Sequence, residues 1–180
     1  MTRRLSWMLP VIGICWSTTS AQAQTTSSAL ARELVDLLQQ KQLTVVAARL
    51  PDEPGRFAAA LYIPQRELLT VSARYSVPVL LQEKVYLHKY HDAYTSLNGA
   101  GDKAGKLFVE DLGADGLARQ PTQAGTPDLI YQEIARRTLL NGDWKGQQLR
   151  EGEYTERFTS AETEYVRALT ALIAELKKAT

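Results

Sequence analysis

The chain has two histidines, His88 and His91, which lie three residues apart, and Asp92 follows them directly. On a helix, positions three and four apart share a face, so these three side chains can point the same way. Imidazole pairs at this spacing can ligate a metal or a haem, and a carboxylate can orient or complete such a site. The competing interpretation is a solvated helix face, because Lys84 and Lys89 are close in sequence.

A second group of candidate residues is acidic and comprises Glu110, Asp111 and Asp115. Paired carboxylates can transfer protons when burial raises the pKa of one of them. Asp111 or Asp115 could also complete a metal site with the histidines. Gly113 and Gly116 are interleaved with the acids and favour a turn, so we interpret the segment as a polar turn after a strand.

The first 23 residues have the three parts of a secretory signal. Arg3 and Arg4 supply the charged start, residues 5–16 are apolar, and Ala21-Gln22-Ala23 forms a cleavage site before Gln24. The apolar run is too short to span a bilayer as a mature helix. We therefore predict export to a bacterial periplasm or the medium, and the paired arginines leave the general and twin-arginine routes open.

Cleavage would leave residues 24–180, which we predict to form a single α+β domain. Arg3 and Arg4 leave with the signal, so 21 basic and 20 acidic residues become 19 and 20, a net charge of −1. A nearly neutral chain argues against nucleic acid as a partner. Cys15 is the only cysteine and leaves as well. The mature chain is therefore predicted to have no disulfide, no cysteine nucleophile and no membrane span.

The elements that would position these residues follow from periodicity and from turn signals. A helix is predicted from a cap at Ser27 or Ser28 to Gln40, and a long C-terminal amphipathic helix carries an apolar stripe from Tyr154 to Leu176. We expect this stripe to pack on its own sheet; the alternative is a homodimer seam. The remaining predicted elements are strands at 43–50, 57–63, 67–75 and 106–112 and a helix at 79–97.

The third strand and residues 128–140 differ in how clearly their patterns predict structure. In the third strand, Leu69, Val71 and Ala73 alternate with Thr70 and Ser72, which predicts one buried and one wetter face. Residues 128–140 are ambiguous. A Thr-Pro-Asp start favours a helix, whereas an Asn-Gly pair at 141–142 could instead be the tip of a hairpin.

The order helix, three-strand meander, helix, strand and closing helix resembles the flavin-binding split barrels related to pyridoxamine-phosphate oxidase. The similarity covers about residues 30–112 and is carried by the segments Thr44-Val45-Val46-Ala47-Ala48, 51–55, 57–63 and 68–73. In that family, serine, lysine and arginine residues at the end of the third strand and in the next helix hold the flavin phosphate. The resemblance therefore implies a small split barrel with Ser72, Arg74 and Ser76 as cofactor ligands.

Taken together, the sequence predicts an α+β fold, an antiparallel meander that could close into a small split barrel, flanked by three main helices. The predicted function is non-catalytic binding of a small ligand or of a periplasmic protein. Two alternatives remain open: a flavin or haem protein with a redox role, and a structural component of a periplasmic assembly that uses the C-terminal helix as its contact. A fold alone does not decide among them.

Overall fold

A computed structural model describes residues 26–53, 56–73, 107–121, 127–132 and 136–178 of the chain. The elements in chain order are α1 (Ser27–Gln40), β1 (Val45–Arg49), β2 (Phe57–Ile63), β3 (Leu68–Ala73), β4 (Leu107–Leu112), β5 (Asp128–Gln132), β6 (Arg136–Leu140) and α2 (Glu151–Lys178). The predicted helix at 79–97 and the signal at 1–23 lie outside the described residues.

The six strands form one antiparallel sheet in which each strand pairs with the next along the chain. The predicted meander and the predicted fourth strand are therefore confirmed, as is the α+β class. The sheet is open, with β1 and β6 at its edges. Closure into a barrel is not seen among the described strands.

Both described helices pack on one face of this sheet, which we call the helix face. The apolar stripe of α2 is buried as predicted, with Phe158 half-buried beside it; its buried members are Tyr154, Ala161, Tyr165, Leu169, Leu172 and Leu176. Glu151 and Glu153 occupy the first turn of α2, and Lys177 and Lys178 occupy the last. These charges complement the helix dipole. The stripe belongs to the main hydrophobic core, so it packs on its own sheet as expected.

The prediction of a wetter face on β3 is wrong. Thr70 and Ser72 are as buried as the apolar residues that alternate with them, Leu69, Val71 and Ala73. They lie on the opposite side of the sheet, which we call the second face, where strand register places them beside Leu61, Ala59 and Phe108. Three of their four cross-strand partners are apolar, and the fourth, opposite Thr70, is the half-buried Glu110. The Thr70 hydroxyl donates to the carbonyl of Leu61 at 3.1 Å.

The ambiguous segment 128–140 is a strand pair, β5 with β6, and the helix alternative is wrong. The proposed hairpin tip is also wrong, because Asn141 and Gly142 follow β6 instead of connecting two strands. Tertiary pairing decides between helix and strand here, since apolar runs this short fit either period.

The cap of α1 differs from its prediction as well. Thr26 holds the N-cap position without a side-chain hydrogen bond, and Ser27 is the first helical residue. In the part of the chain that the structure describes, no helix combines the length and apolar character needed to cross a membrane.

Candidate functional site

The most concentrated set of buried ionisable groups lies where β4 ends and β5 begins. Asp111 and Asp128 stand one step beyond the paired residues Glu110 and Leu129, so the register of the two antiparallel strands brings them side by side. Both side chains are on the helix face, and their exposed fractions are 0% and 3%. A buried carboxylate must be hydrogen-bonded to avoid a large desolvation cost.

Asp111 accepts hydrogen bonds from the loop that follows it and from α2. One carboxylate oxygen accepts the backbone N–H of Asp115 at 3.1 Å, and the other accepts that of Gly116 at 2.9 Å. The second oxygen also accepts the hydroxyl of Tyr165 at 2.9 Å. Asp111 therefore fixes the turn after β4 and joins it to the centre of the C-terminal helix.

Asp128 has a matching role from the neighbouring strand. Its two oxygens accept the backbone N–H groups of Leu112 and Ala118, each at 3.0 Å. Its side chain thus spans both ends of the loop between 113 and 117. We refer to Asp111, Asp128, Tyr165 and this loop as the carboxylate clasp.

The first residue of α1 connects to the same loop. Ser27 donates its backbone N–H to one oxygen of Glu162 at 2.8 Å and its hydroxyl to the other at 2.7 Å. The Ser27 hydroxyl in turn accepts the N–H of Leu117 at 2.9 Å. A carboxylate at a helix N-terminus is favoured both by the free N–H groups and by the dipole. Glu162 therefore replaces the predicted serine cap and ties α1 to α2.

Gly116 allows this close packing of loop and helix. Its φ of +94° lies in the left-handed region, and a Cβ at this position would stand 2.3 Å from the backbone nitrogen of Ser28. Only glycine meets both conditions without displacing the helix. The sequence motif Asp-Leu-Gly-Ala-Asp-Gly is thus a turn, as predicted, but one whose glycine contacts α1.

Burial raises the pKa values of both clasp carboxyls. The pKa of Asp111 rises to about 6, with hydrogen bonds from Tyr165, Gly116 and Asp115 opposing the effect of burial. That of Asp128 rises to about 7, through burial first and then through the nearby charge of Asp111, against the N–H donors of Ala118 and Leu112. Burial and the adjacent Asp111 raise the pKa of Tyr165 well above its usual value of 10. The clasp can therefore hold protons near neutral pH.

The acceptor oxygens of the clasp are engaged mainly by the chain's own backbone donors. One carboxylate oxygen of Asp115 is also buried, and it has no hydrogen-bond partner among the residues described. Within the same residues, no set of three or more histidine, cysteine or acidic side chains could hold a metal ion. The arrangement is suited to holding the loop and to binding protons.

The predicted acidic cluster is divided by the sheet. Glu110 lies on the second face, whereas Asp111, its neighbour in sequence, lies on the helix face. Burial raises the pKa of Glu110, and the charge of Arg137 on the same face partly opposes this. Only Asp111 and the loop residue Asp115 come together as predicted.

Of the predicted cofactor and metal ligands, Ser72 is the one that lies among the described residues. Ser72 is 2% exposed on the second face, between Ala59 and Phe108 of the neighbouring strands. The other predicted site residues lie outside the described part of the chain: Arg74, Ser76, His88, His91 and Asp92.

Sequence reasoning missed four members of this region, namely Ser27, Asp128, Glu162 and Tyr165. Tyr165 is separated from Asp111 by 54 residues, and Glu162 from Ser27 by 135. Asp128 could have been found by reading 128–140 as a strand, because antiparallel register then places it beside Asp111. Comparison of the chain with known protein families, with curated proteins and with solved structures found no match.

Proposed function

We propose that the mature chain acts in the periplasm or outside the cell as a non-catalytic binding protein for a small, mainly apolar ligand. The proposal places the ligand at the second face of the sheet, against the side chains there that are only half-buried, Glu110, Tyr131 and Leu139. Ligand sites are commonly apolar surfaces with a few polar groups that fix orientation.

The observation that carries the proposal is Glu110. It occupies a central strand of a face whose buried side chains are otherwise uncharged: Ala59, Leu61, Thr70, Ser72, Phe108 and Leu129. Burial raises its pKa, and Arg137 lowers it to a smaller extent. A carboxyl group that is destabilised by its surroundings is more typical of a binding site than of a packed core.

The polar groups of this face also suggest the chemistry of the ligand. Glu110 suits a hydrogen-bond donor or a positive charge, and the half-buried ring of Tyr131 offers a flat apolar contact. Ser72 lies on the same face, so a flavin is one ligand that the test must distinguish. The carboxylate clasp supports a non-catalytic role, because its acceptors bind the protein's own loop.

The test is native mass spectrometry and absorbance spectroscopy of protein purified from the envelope of its host. We expect a chain that begins at Gln24 and a non-covalently bound small molecule that denaturation releases. The Glu110→Gln variant should retain less of this molecule, because it removes the charge from the second face. Glu156→Gln is the matched control, since Glu156 is exposed on α2.

Two outcomes would contradict the proposal: protein that carries no ligand, or equal occupancy in wild type and Glu110→Gln. A flavin or haem absorbance band would favour the redox alternative over simple binding. An exported protein that still contains residues 1–23 would refute the predicted cleavage.

A further inference from the structure

The two edges of the sheet differ in how their backbone groups are satisfied. On β1, Thr44 accepts the N–H of Tyr62, and Leu50 donates to the carbonyl of Arg56. The even-numbered residues between them therefore bond to β2, because antiparallel pairs alternate along a strand. The backbone groups of Val45, Ala47 and Arg49 point away from the sheet.

None of these outward groups on β1 has a hydrogen-bond partner among the described residues. Exposed strand edges of this kind are templates for pairing with another strand. Natural proteins usually protect them with charges, prolines, bulges or covering segments. Within β1, the charge of Arg49 is the one protecting feature of this kind.

The opposite edge of the sheet is protected by a side chain. Gln147 accepts the N–H of Leu139 at 2.8 Å and donates to the carbonyl of the same residue at 2.7 Å. Its amide thus occupies the hydrogen-bonding positions that an additional strand would use. The hydroxyl of Tyr154 also lies 3.1 Å from the Leu139 carbonyl. As far as the described residues go, the contrast identifies β1 as the edge available for pairing.

The apolar side chains on β1 and just before it are incompletely buried, and a second apolar strand would cover them. Leu43, just before the strand, is 43% exposed and is the most exposed large apolar side chain in the described part of the chain. Val45 and Ala47 are half-buried and pack with Ala59, Leu61 and Ile63 on the second face. A second apolar strand would cover this incompletely buried cluster.

We propose that β1 pairs antiparallel with β1 of a second copy of this chain, about a two-fold axis at Ala47. This register places Val45 opposite Arg49 of the second copy and aligns the outward N–H and C=O groups for about six hydrogen bonds. The two six-stranded sheets become continuous.

The charges at the ends of β1 favour a second copy over an unrelated strand. Lys41 precedes the strand and Asp52 follows it. The Asp52 side chain is 79% exposed and also lies 3.7 Å from the guanidinium of Arg167 in its own chain. Antiparallel pairing brings Lys41 of one copy toward Asp52 of the other, while the two Arg49 side chains lie at opposite ends. Pro51 lacks an N–H and ends the pairing. The two-fold arrangement uses the same edge of both copies, so the association closes as a dimer.

The short length of β1 sets the strength of this association. Five residues cover less surface than the roughly 1,000 Å² that a stable interface needs. The dimer is therefore transient, with a dissociation constant in the micromolar range or weaker.

Sedimentation velocity across a wide range of protein concentrations tests this proposal. We expect reversible dimerisation of the wild type and at least a tenfold weaker dissociation constant for Ala47→Pro. The outward N–H of Ala47 makes no bond within the sheet, so proline at this position spares the β1–β2 ladder. Val45→Lys is a second variant with the same expected effect, through charge repulsion at the edge, and circular dichroism confirms that each variant is folded.

Ala174→Lys is the matched control, because Ala174 is exposed on α2, far in sequence from β1. It should dimerise as the wild type does. The proposal is overturned if the wild type stays monomeric, if folded Ala47→Pro and Val45→Lys dimerise normally, or if only Ala174→Lys dissociates the dimer. Crosslinking from position 45 to a different protein instead of a second copy would likewise reject it.

Discussion

Tyr154 and Tyr165 are two buried residues on the same stripe of α2, and each uses its hydroxyl to hold a loop. The Tyr165 hydroxyl donates to the carboxylate of Asp111 at 2.9 Å. The Tyr154 hydroxyl accepts the N–H of Gly142 and lies 3.1 Å from the carbonyl oxygens of Arg119 and Leu139. The first contact includes an ionisable group, whereas the second joins uncharged groups.

One helix therefore makes two kinds of contact: Tyr154 packs against uncharged groups, and Tyr165 contacts a group that can bind a proton. Each tyrosine contact also includes a glycine with a positive φ, Gly116 at +94° and Gly142 at +77°. The Gly116 N–H donates to the carboxylate of Asp111, and the Gly142 N–H donates to the hydroxyl of Tyr154. The backbone conformation of the two glycines is similar in both places. We therefore expect only the buried carboxylates to make the stability of the Tyr165 region depend on pH.

The largest expected effect is that of Gly116→Ala. Its Cβ would stand 2.3 Å from the backbone of Ser28, and the residue would also be strained at a φ of +94°. Overpacking and left-handed strain together should lower the free energy of unfolding by about 3 kcal/mol or more. Chemical denaturation measures this change.

Gly142→Ala is the matched control for that substitution. Its Cβ would meet only the flexible side chain of Gln120, at 3.2 Å, so the cost should be close to the conformational strain of about 1–2 kcal/mol. Equal losses in the two variants would mean that Gly116 is not in close contact with α1.

Removal of each tyrosine hydroxyl compares the two contacts directly. Tyr165→Phe deprives a fully buried carboxylate of a donor and should cost about 2–3 kcal/mol, in the range for hydrogen bonds to charged groups. Tyr154→Phe should cost about 1 kcal/mol, because the half-buried loop around Gly142 can bind water in its place. The midpoints of urea unfolding at neutral pH provide the measurement, and a reversed order would contradict the distinction between the two regions.

The pH dependence of stability is the prediction most specific to the carboxylate clasp. The folded-state pKa values of Asp111 and Asp128 are about 6 and about 7, above the usual value of 3.8. The folded state therefore binds more protons, and this contribution to stability falls as pH rises from about 4 to about 7. Above pH 7 both carboxyls are charged in either state, and the contribution stays constant.

Asp128→Asn isolates the part of this pH dependence that ends near pH 7. The free energy of unfolding of the variant, taken relative to that of the wild type, should be lower at pH 5 than at pH 8. The reason is that the wild type loses stability over this range as its buried Asp128 ionises, whereas the variant has no carboxyl there. Tyr154→Phe should leave the slope unchanged. Parallel curves for Asp128→Asn and the wild type would rule out Asp128 as the titrating group.

Periodicity predicted most of the secondary structure because the patterns in these segments were long or strictly alternating. The stripe of α2 and the strands β1 to β4 are examples. Periodicity gave wrong or ambiguous predictions where the structure depends on residues from other strands. Thr70 and Ser72 predicted a wet face, yet both are buried, and three of their four cross-strand partners are buried apolar residues. Segment 128–140 was too short to distinguish helix from strand.

The carboxylate clasp was only partly predictable for a different reason. Asp111 and Asp115 stood out because they are close in sequence. Their partners come from distant segments, and Glu110 was misgrouped because adjacent residues of a strand point to opposite faces. Such a site depends on strand register and on where α2 crosses the sheet, neither of which a local pattern contains.

The placement of α2 has a consequence for the order of folding. The strands pair with their neighbours along the chain, but the core on the helix face is completed by the last element, which packs against both the sheet and α1. The network of Glu162, Ser27 and Leu117 joins segments as much as 135 residues apart. Contacts of such long range form late because loop closure opposes them. A nascent chain therefore leaves the part of the helix face that α2 covers exposed until the C-terminal helix docks, and this interval is when it most needs protection from aggregation.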